Sequence, residues 1–303
     1  MPGDATNQAP DRRRPDDRRR EQNPDHRSGR DDTVLRDEVR TTGMVWLREL
    51  IRFERTRARI LSGLVQPVLF LVVLGYGMSG LVGTTAGFDF KKFMFPGIMA
   101  MSVVTTAIFS GMSIVWDREF GFLREMLVAP TSRASLALGK TAGGATVAAA
   151  QGTIMLLLAP LIGVHLTVLL VIEIIGLELL MAIALTAFGV FVATRIQKME
   201  GFQVVMQLLL FPMIFLSGAL FPLNGLPGWL EVLTHINPLT YAVAPLRQVV
   251  FAAQNMPAAA RKRFPASVEL FGHTLSVGTE IAIVVVFAGI FIALAIRGFS
   301  RTE

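Results

Sequence analysis

The sequence contains no cysteine and only four histidines. Disulfides, thiolate metal sites and cysteine-linked lipid anchors are therefore excluded. His26, His165, His235 and His273 stand apart, none with a metal-ligand or catalytic-triad neighbour in sequence. A complete phosphate-binding loop is also missing. Gly139-Lys140-Thr141 looks like the end of one, but the position of its first glycine is held by Ala134, and an apolar run follows. No catalytic residue is expected, and ATP hydrolysis is not expected from this chain. Ser217-Gly218 lacks the flanks of a G-x-S-x-G elbow, so intramembrane hydrolase chemistry has no visible support. The absence of an internal repeat counts against inverted-repeat secondary transporters.

Apolar sequence is abundant. A hydrophobic fraction of 52% and a mean hydropathy of +0.53 exclude an ordinary soluble domain and indicate a polytopic membrane protein. The net charge of +6 does not come from the N-terminal tail: residues 1–35 hold eight Arg against eight Asp plus Glu. Such a balanced, apolar-poor stretch predicts disorder over 1–43 and argues against a nucleic-acid arm. Residues 44–60 place Met44, Leu47, Leu50 and Ile51 at helical spacing, opposite Arg48, Arg52, Arg55 and Arg59. That pattern predicts a basic amphipathic helix in the membrane interface.

Residues 44–303 then read as one all-α transmembrane domain with six spans, at about 61–82, 93–115, 140–163, 167–194, 202–222 and 279–297. An even count puts both termini on one side. Lys and Arg in 36–60, 116–140, 195–200 and after Arg297 make that side cytoplasmic. Lys91-Lys92 and Arg261-Lys262-Arg263 oppose the assignment, the latter from a long loop where the charge rule is weak.

Three regions invite a functional reading. In the loop 116–140, a helix over 117–127, Glu119 included, would place Asp117, Arg118, Gly121, Arg124 and Glu125 on one face and Phe120, Leu123, Met126 and Leu127 on another. Such a helix could carry force from a partner, or be a solvated positive-inside loop. Glu178 lies about 11 residues into its span, roughly 16 Å deep. There it needs a partner, a wet cavity or a proton, while Glu173 lies nearer the outer end. Residues 211–247 combine membrane-like apolarity with Pro212, Ser217-Gly218, Phe221-Pro222, Pro227, Trp229, Asn237-Pro238, Tyr241 and Arg247. Irregular backbone at membrane depth is tolerated where protein buries it or it lines a cavity. The segment is therefore expected at a translocation path or gate.

The stretch Trp116-Asp117-Arg118-Glu119-Phe120-Gly121 with Leu123–Pro130 carries a family likeness. So does the stretch from Glu200-Gly201-Phe202-Gln203 through Leu216-Ser217-Gly218 to Asn237-Pro238-Leu239-Thr240-Tyr241 and Arg247. On these residues the chain resembles the ABC-2 type transporter permeases, in particular their daunorubicin-resistance-like drug exporters, over about residues 44–300. The resemblance implies one transmembrane half of an exporter in the bacterial cytoplasmic membrane. It implies a second half, identical or different, and two copies of an ATP-binding subunit that holds ATP and Mg. It also implies docking of the 117–127 helix on that subunit, and short re-entrant helices at 219–247 capping the outer end of the path. A hydrophobic drug or lipid is favoured over a glycan, because the first, third and fourth spans have few aromatics. A lipid or polysaccharide exporter of the same kind, and an ion-coupled secondary transporter, remain alternatives.

Overall fold

The computed structural model describes residues 24–55, 57–82, 90–121, 132–223, 225–254, 256, 264–270 and 273–300. The described chain is mostly helical. Helix α1 is Pro24–Glu54, α2 Arg57–Val82, α3 Phe90–Ser110, α4 Met112–Glu119 and α5 Arg133–Leu156. A 3-10 turn at Ala159–Ile162 leads to α6, Val168–Arg195, and α7, Met199–Phe215. Two shorter helices follow, α8 at Gly228–Ile236 and α9 at Pro238–Ala253. A two-stranded hairpin, β1 Glu269–Leu270 with β2 His273–Thr274, precedes α10, Val277–Ser300.

Helix α3 is the centre of the molecule. Phe93, Met94, Phe95, Ile98, Met99, Val103, Val104, Ala107 and Ile108 are all buried, an all-round apolar surface that only an interior helix carries. It packs on α2, α5 and α6; α10 lies along α6, and α1 lies along α5. Small residues allow the closest approaches. A Cβ on Gly111 would come within 2.5 Å of the Gly189 carbonyl oxygen, and one on Gly189 equally close to that of Ile108.

The outer surface is apolar. Leu61, Val65, Leu69, Val72, Val73 and Tyr76 form an exposed stripe on α2. Val204, Leu208, Phe211 and Phe215 do the same on α7, as do Val168, Leu169 and Ile172 on α6. Faces of this extent fit lipid or another protein, not water. Among the described residues three helical stretches are long and apolar enough to cross a membrane: Phe90–Glu119, Val168–Ala193 and Val277–Phe299. The apolar stretches Leu61–Gly77 and Met199–Phe215 are shorter.

Several expected boundaries move. Helix α1 starts at Pro24, so residues 24–43, expected to be disordered, are helical; Pro at a first helical position has its φ already set for the helix. The third apolar segment starts at Arg133 instead of 140, because Ser132 caps it by accepting from the Ser135 backbone N–H. It stops at Leu156, four residues before Pro160. The fifth ends at Phe215, and 216–222 is a turn. Residues 1–23 and the Arg261-Lys262-Arg263 cluster lie outside the described residues.

Gly97 of α3 tests this packing, because a Cβ there would run into the backbone of Ala219. Gly97→Ala is expected to destabilise by about 1–3 kcal/mol, as overpacking does, read as a lower melting temperature of the solubilised protein. Gly77→Ala, with open space around it, should not lower it.

Candidate functional site: a three-way anchor, a stitched turn and a cavity

Asp117 and Arg118 are expected to share one face with Gly121, Arg124 and Glu125 on a helix running to Leu127. Instead the helix ends at Glu119, and Gly121 adopts φ +84, a conformation that glycine alone takes up easily. Three consecutive charged side chains then reach three different parts of the chain. Asp117, 2% exposed, accepts from Lys140 Nζ of α5 at 2.8 Å and pairs with Arg48 of α1 at 3.5 Å. Lys140 also donates to Glu49 at 2.7 Å and to Ser113 at 3.2 Å. Arg118 donates to the carbonyls of Ile196 at 2.8 Å and of Ala193 and Thr194 at 3.4 Å. These belong to the C-terminal end of α6, where unsatisfied carbonyls and the helix dipole favour a cation. Glu119 accepts from the Met199 N–H at 3.0 Å, capping α7, whose own N-cap residue Lys198 makes no side-chain cap. Besides Glu119, two aromatic side chains are exposed here, Trp116 of α4 and Phe120 just past its end, with ring centroids 5.0 Å apart. Arg124 and Glu125 lie outside the described residues.

The 211–247 segment is held together by side chains that answer freed carbonyls. Helix α7 ends in Leu216-Ser217-Gly218, with Gly218 at φ +74. Ser217 donates to Ile214 and accepts from the Ala219 N–H. Asn237 caps α9 through Leu239 N–H and donates back to the Met213 carbonyl at 2.7 Å. The single Thr240 hydroxyl proton is shared between the carbonyls of Thr234 at 2.8 Å and Leu216 at 3.2 Å, while Tyr241 donates to His235 and Arg247 to Gly218. Pro238 stands at the first turn of α9. The Arg247 guanidinium also lies 4.2 Å from the centroid of the Phe93 ring, and no carboxylate pairs with it among the described residues. Pro212 lies within α7, Phe221 and Pro222 are half-buried in the turn, and Pro227 opens α8. Trp229 is exposed on the apolar face of α8, with Val232, Leu233 and Ile236. The structure thus brings Ser217, Gly218, Asn237, Pro238, Tyr241 and Arg247 together and leaves Trp229 apart.

Glu178 sits among α3, α5 and α6, wholly buried, with neither oxygen hydrogen-bonded among the described residues. Its carboxyl group lies against Gly152, where a Cβ would also meet Val103. Glu173 is exposed. The sequence reading passed over two other buried charges. Lys140 was seen only as a false phosphate-loop lysine. Glu280 is fully buried and accepts from Gln248 at 2.7 Å and from the Val268 N–H at 3.2 Å. The available signal was the same for both: a lone ionisable residue in or beside an apolar run demands a partner.

A cavity of about 540 Å3 opens between α1, α2, α3 and α5. Its walls carry Gln66, Gln151, Gln203, Thr105 and Thr106 beside Phe53, Phe109 and Trp116. None of these had been singled out from the sequence as a path residue. It lies on the α4 side of the molecule, with Glu49, Ser113 and Trp116 in its wall.

Comparison with known proteins gives a consistent family. The family model described as ABC-2 type transporter matches residues 41–251. A putative transport permease, ycf38, of Cyanophora paradoxa is 30% identical over 66% of this chain and 70% of its own. Nodulation protein J of Rhizobium meliloti (strain 1021) is 28% identical over 69% of this chain and 80% of its own. The inner membrane transport permease YadH of Escherichia coli (strain K12) is 26% identical over 70% and 84% respectively.

Two predictions test the buried charges. Removing one partner of a buried ion group strands the others, at about 3–5 kcal/mol. Lys140→Met should therefore sharply lower the melting temperature, and adding Asp117→Asn and Glu49→Gln should recover much of the loss. Glu178→Gln keeps the shape and breaks no ion pair among the described residues, so the yield of folded protein should hold. A collapse in that yield would mean that a charge is required at 178.

Proposed function

Because the chain belongs to the ABC-2 type transporter family, we propose that it is one membrane half of an ATP-driven exporter. In this reading six helices span the bacterial cytoplasmic membrane: α2, α3 with α4, α5, α6, α7 and α10. Both termini are cytoplasmic, and α1 lies in the cytoplasmic interface. Helices α8 and α9 re-enter from the outside and cap the path. Two halves face each other, and ATP binding by separate subunits shifts the pair between inward and outward states. The chain itself is a non-enzymatic permease subunit, as the names of its relatives support.

The observation that carries this reading is the anchorage of α4. This short helix, cytoplasmic on this reading, is bound through Asp117, Arg118 and Glu119 to α1, α5 and α7 and to the C-terminal end of α6. A push on the segment beyond Gly121 would reach four elements at once. The docking surface for the ATP-binding subunit is then the segment after Gly121 that carries Arg124 and Glu125, together with Phe120, while Asp117 and Arg118 act as internal anchors. A lipid- or drug-like substrate fits the apolar outer faces. The polar lining of the cavity gives the glycan- or lipid-exporting alternative a specific observation in its favour.

Copurification with an ATP-binding subunit separates this reading from an ion-coupled transporter. Arg124→Ala with Glu125→Ala should reduce that association or transport severalfold, while membrane insertion stays intact. Full transport by the double variant would remove the loop from the coupling role.

A further inference from the structure

We infer that a second, small cavity, between the turn after α7, helix α9 and residues 265–268, binds a monovalent anion of the size of chloride, with Arg247 as its counter-charge. The site is separate from the large cavity and from the α4 anchor, and it does not rest on the permease reading.

Arg247 is a buried cation without a matching anion. It is 4% exposed, and a guanidinium keeps its charge inside a protein. One of its Nη groups donates to the Gly218 carbonyl, and the Phe93 ring centroid lies 4.2 Å from the guanidinium carbon. Its Nε is buried with no hydrogen-bond partner among the described residues. A carbonyl dipole and a ring face offset part of the desolvation, but neither carries a negative charge. Lys140, equally buried, has two carboxylates. Glu280 does not serve Arg247 in that way. Its oxygens accept from Gln248 and from the Val268 N–H, and no ion pair joins it to Arg247 among the described residues.

The cavity beside Arg247 holds about 30 Å3 and is also lined by Ser217, Thr240 and residues 265–268. It admits one water-sized species. Sulfate, phosphate and lipid headgroups are too large for it, whereas a halide is a single atom with one charge. The Ser217 and Thr240 protons are spent on carbonyls. The Ser267 hydroxyl and the N–H groups of Ala266 and Ser267 are not: they make no hydrogen bond among the described residues. Unused donors beside an unpaired cation select an anion, since hydrogen bonds to a charged acceptor are the stronger kind. A water would use the donors and leave the charge unmatched.

An ion in this place would join three segments. Ser217 belongs to the turn that ends α7, Thr240 and Arg247 to α9, and residues 265–268 lead into the β1–β2 hairpin. The turn and α9 are already stitched by direct hydrogen bonds. The anion would add 265–268 to them through charge.

The test uses the full chain in an uncharged detergent, with sodium chloride exchanged for sodium gluconate at constant ionic strength. The melting temperature should rise saturably with chloride, by a few degrees, as a ligand of the folded state raises it. Bromide should act as chloride does, and sulfate and gluconate should not. Arg247→Gln should abolish the rise. Because that change also removes the bond to Gly218, Ser267→Asp is the second variant. Its carboxylate, placed in the cavity wall, should make the protein equally stable in chloride and gluconate. A melting temperature indifferent to chloride in the unaltered chain would overturn the site. A rise that does not saturate, or that sulfate matches, is a general salt effect and would overturn it too. Full chloride dependence in either folded variant would take the ion away from Arg247.

Discussion

A backbone carbonyl in apolar surroundings must find a donor, and much of this fold follows from that requirement. Within a helix the demand is met by the next turn. Where a helix ends inside the molecule, up to four carbonyls are left over. Helix α7 ends at Phe215 in such a place. The carbonyls of Met213, Leu216 and Gly218 are answered by Asn237, Thr240 and Arg247. All three donors come from the start of α9 or from its one buried arginine. The break in α7 and the packing of α9 are thus one structural event. The same requirement explains Arg118, whose guanidinium finishes the C-terminal end of α6.

Charges follow a parallel rule. The Lys140 cluster places two cations, Lys140 and Arg48, against two anions, Asp117 and Glu49, within one contact. Desolvating any one of these groups alone is expensive, so the cluster is worth having only when all its members are present. Its cost also gives it specificity: α1, α4 and α5 have one arrangement in which no charge is stranded. Arg247 is treated differently. It has a carbonyl and an aromatic face instead of a carboxylate, which keeps it where α9 meets α3.

This contrast shows what was legible in the sequence. Apolar runs, the proline-marked break after Pro212 and the position of α10 could be read directly, because periodicity and punctuation are local. Segment starts were misplaced where a side-chain cap decided them, as at Ser132, since a cap outweighs the hydropathy of the following turn. The shared face assigned to Asp117 and Arg118 failed for a different reason. Helical spacing says which side chains share a face, but it does not say which helices that face meets. Asp117, Arg118 and Glu119 are adjacent in sequence and diverge by about 100° each, so three neighbouring helices can each take one. Lys140 was visible, yet its partners lie 23 and 91 residues away, beyond any local pattern. The cavity was invisible for the same reason: its three glutamines come from three separate helices.

The anchor and the cavity share residues, and this constrains how they can work together. Glu49 and Ser113 line the cavity and also hold Lys140; Trp116 lines it one residue before Asp117. If α4 moved relative to α5, the Asp117–Lys140 contact would open and leave both charges buried, which a modest force cannot sustain. The lower-energy motion carries α4, the α3 helix continuous with it, α5 and the adjoining part of α1 together, as a rigid group turning against α2. Helix α2 supplies the facing wall of the cavity, through Gln66. On the proposed reading, force arriving at the segment beyond Gly121 would therefore change the width of the cavity and leave the ion cluster intact.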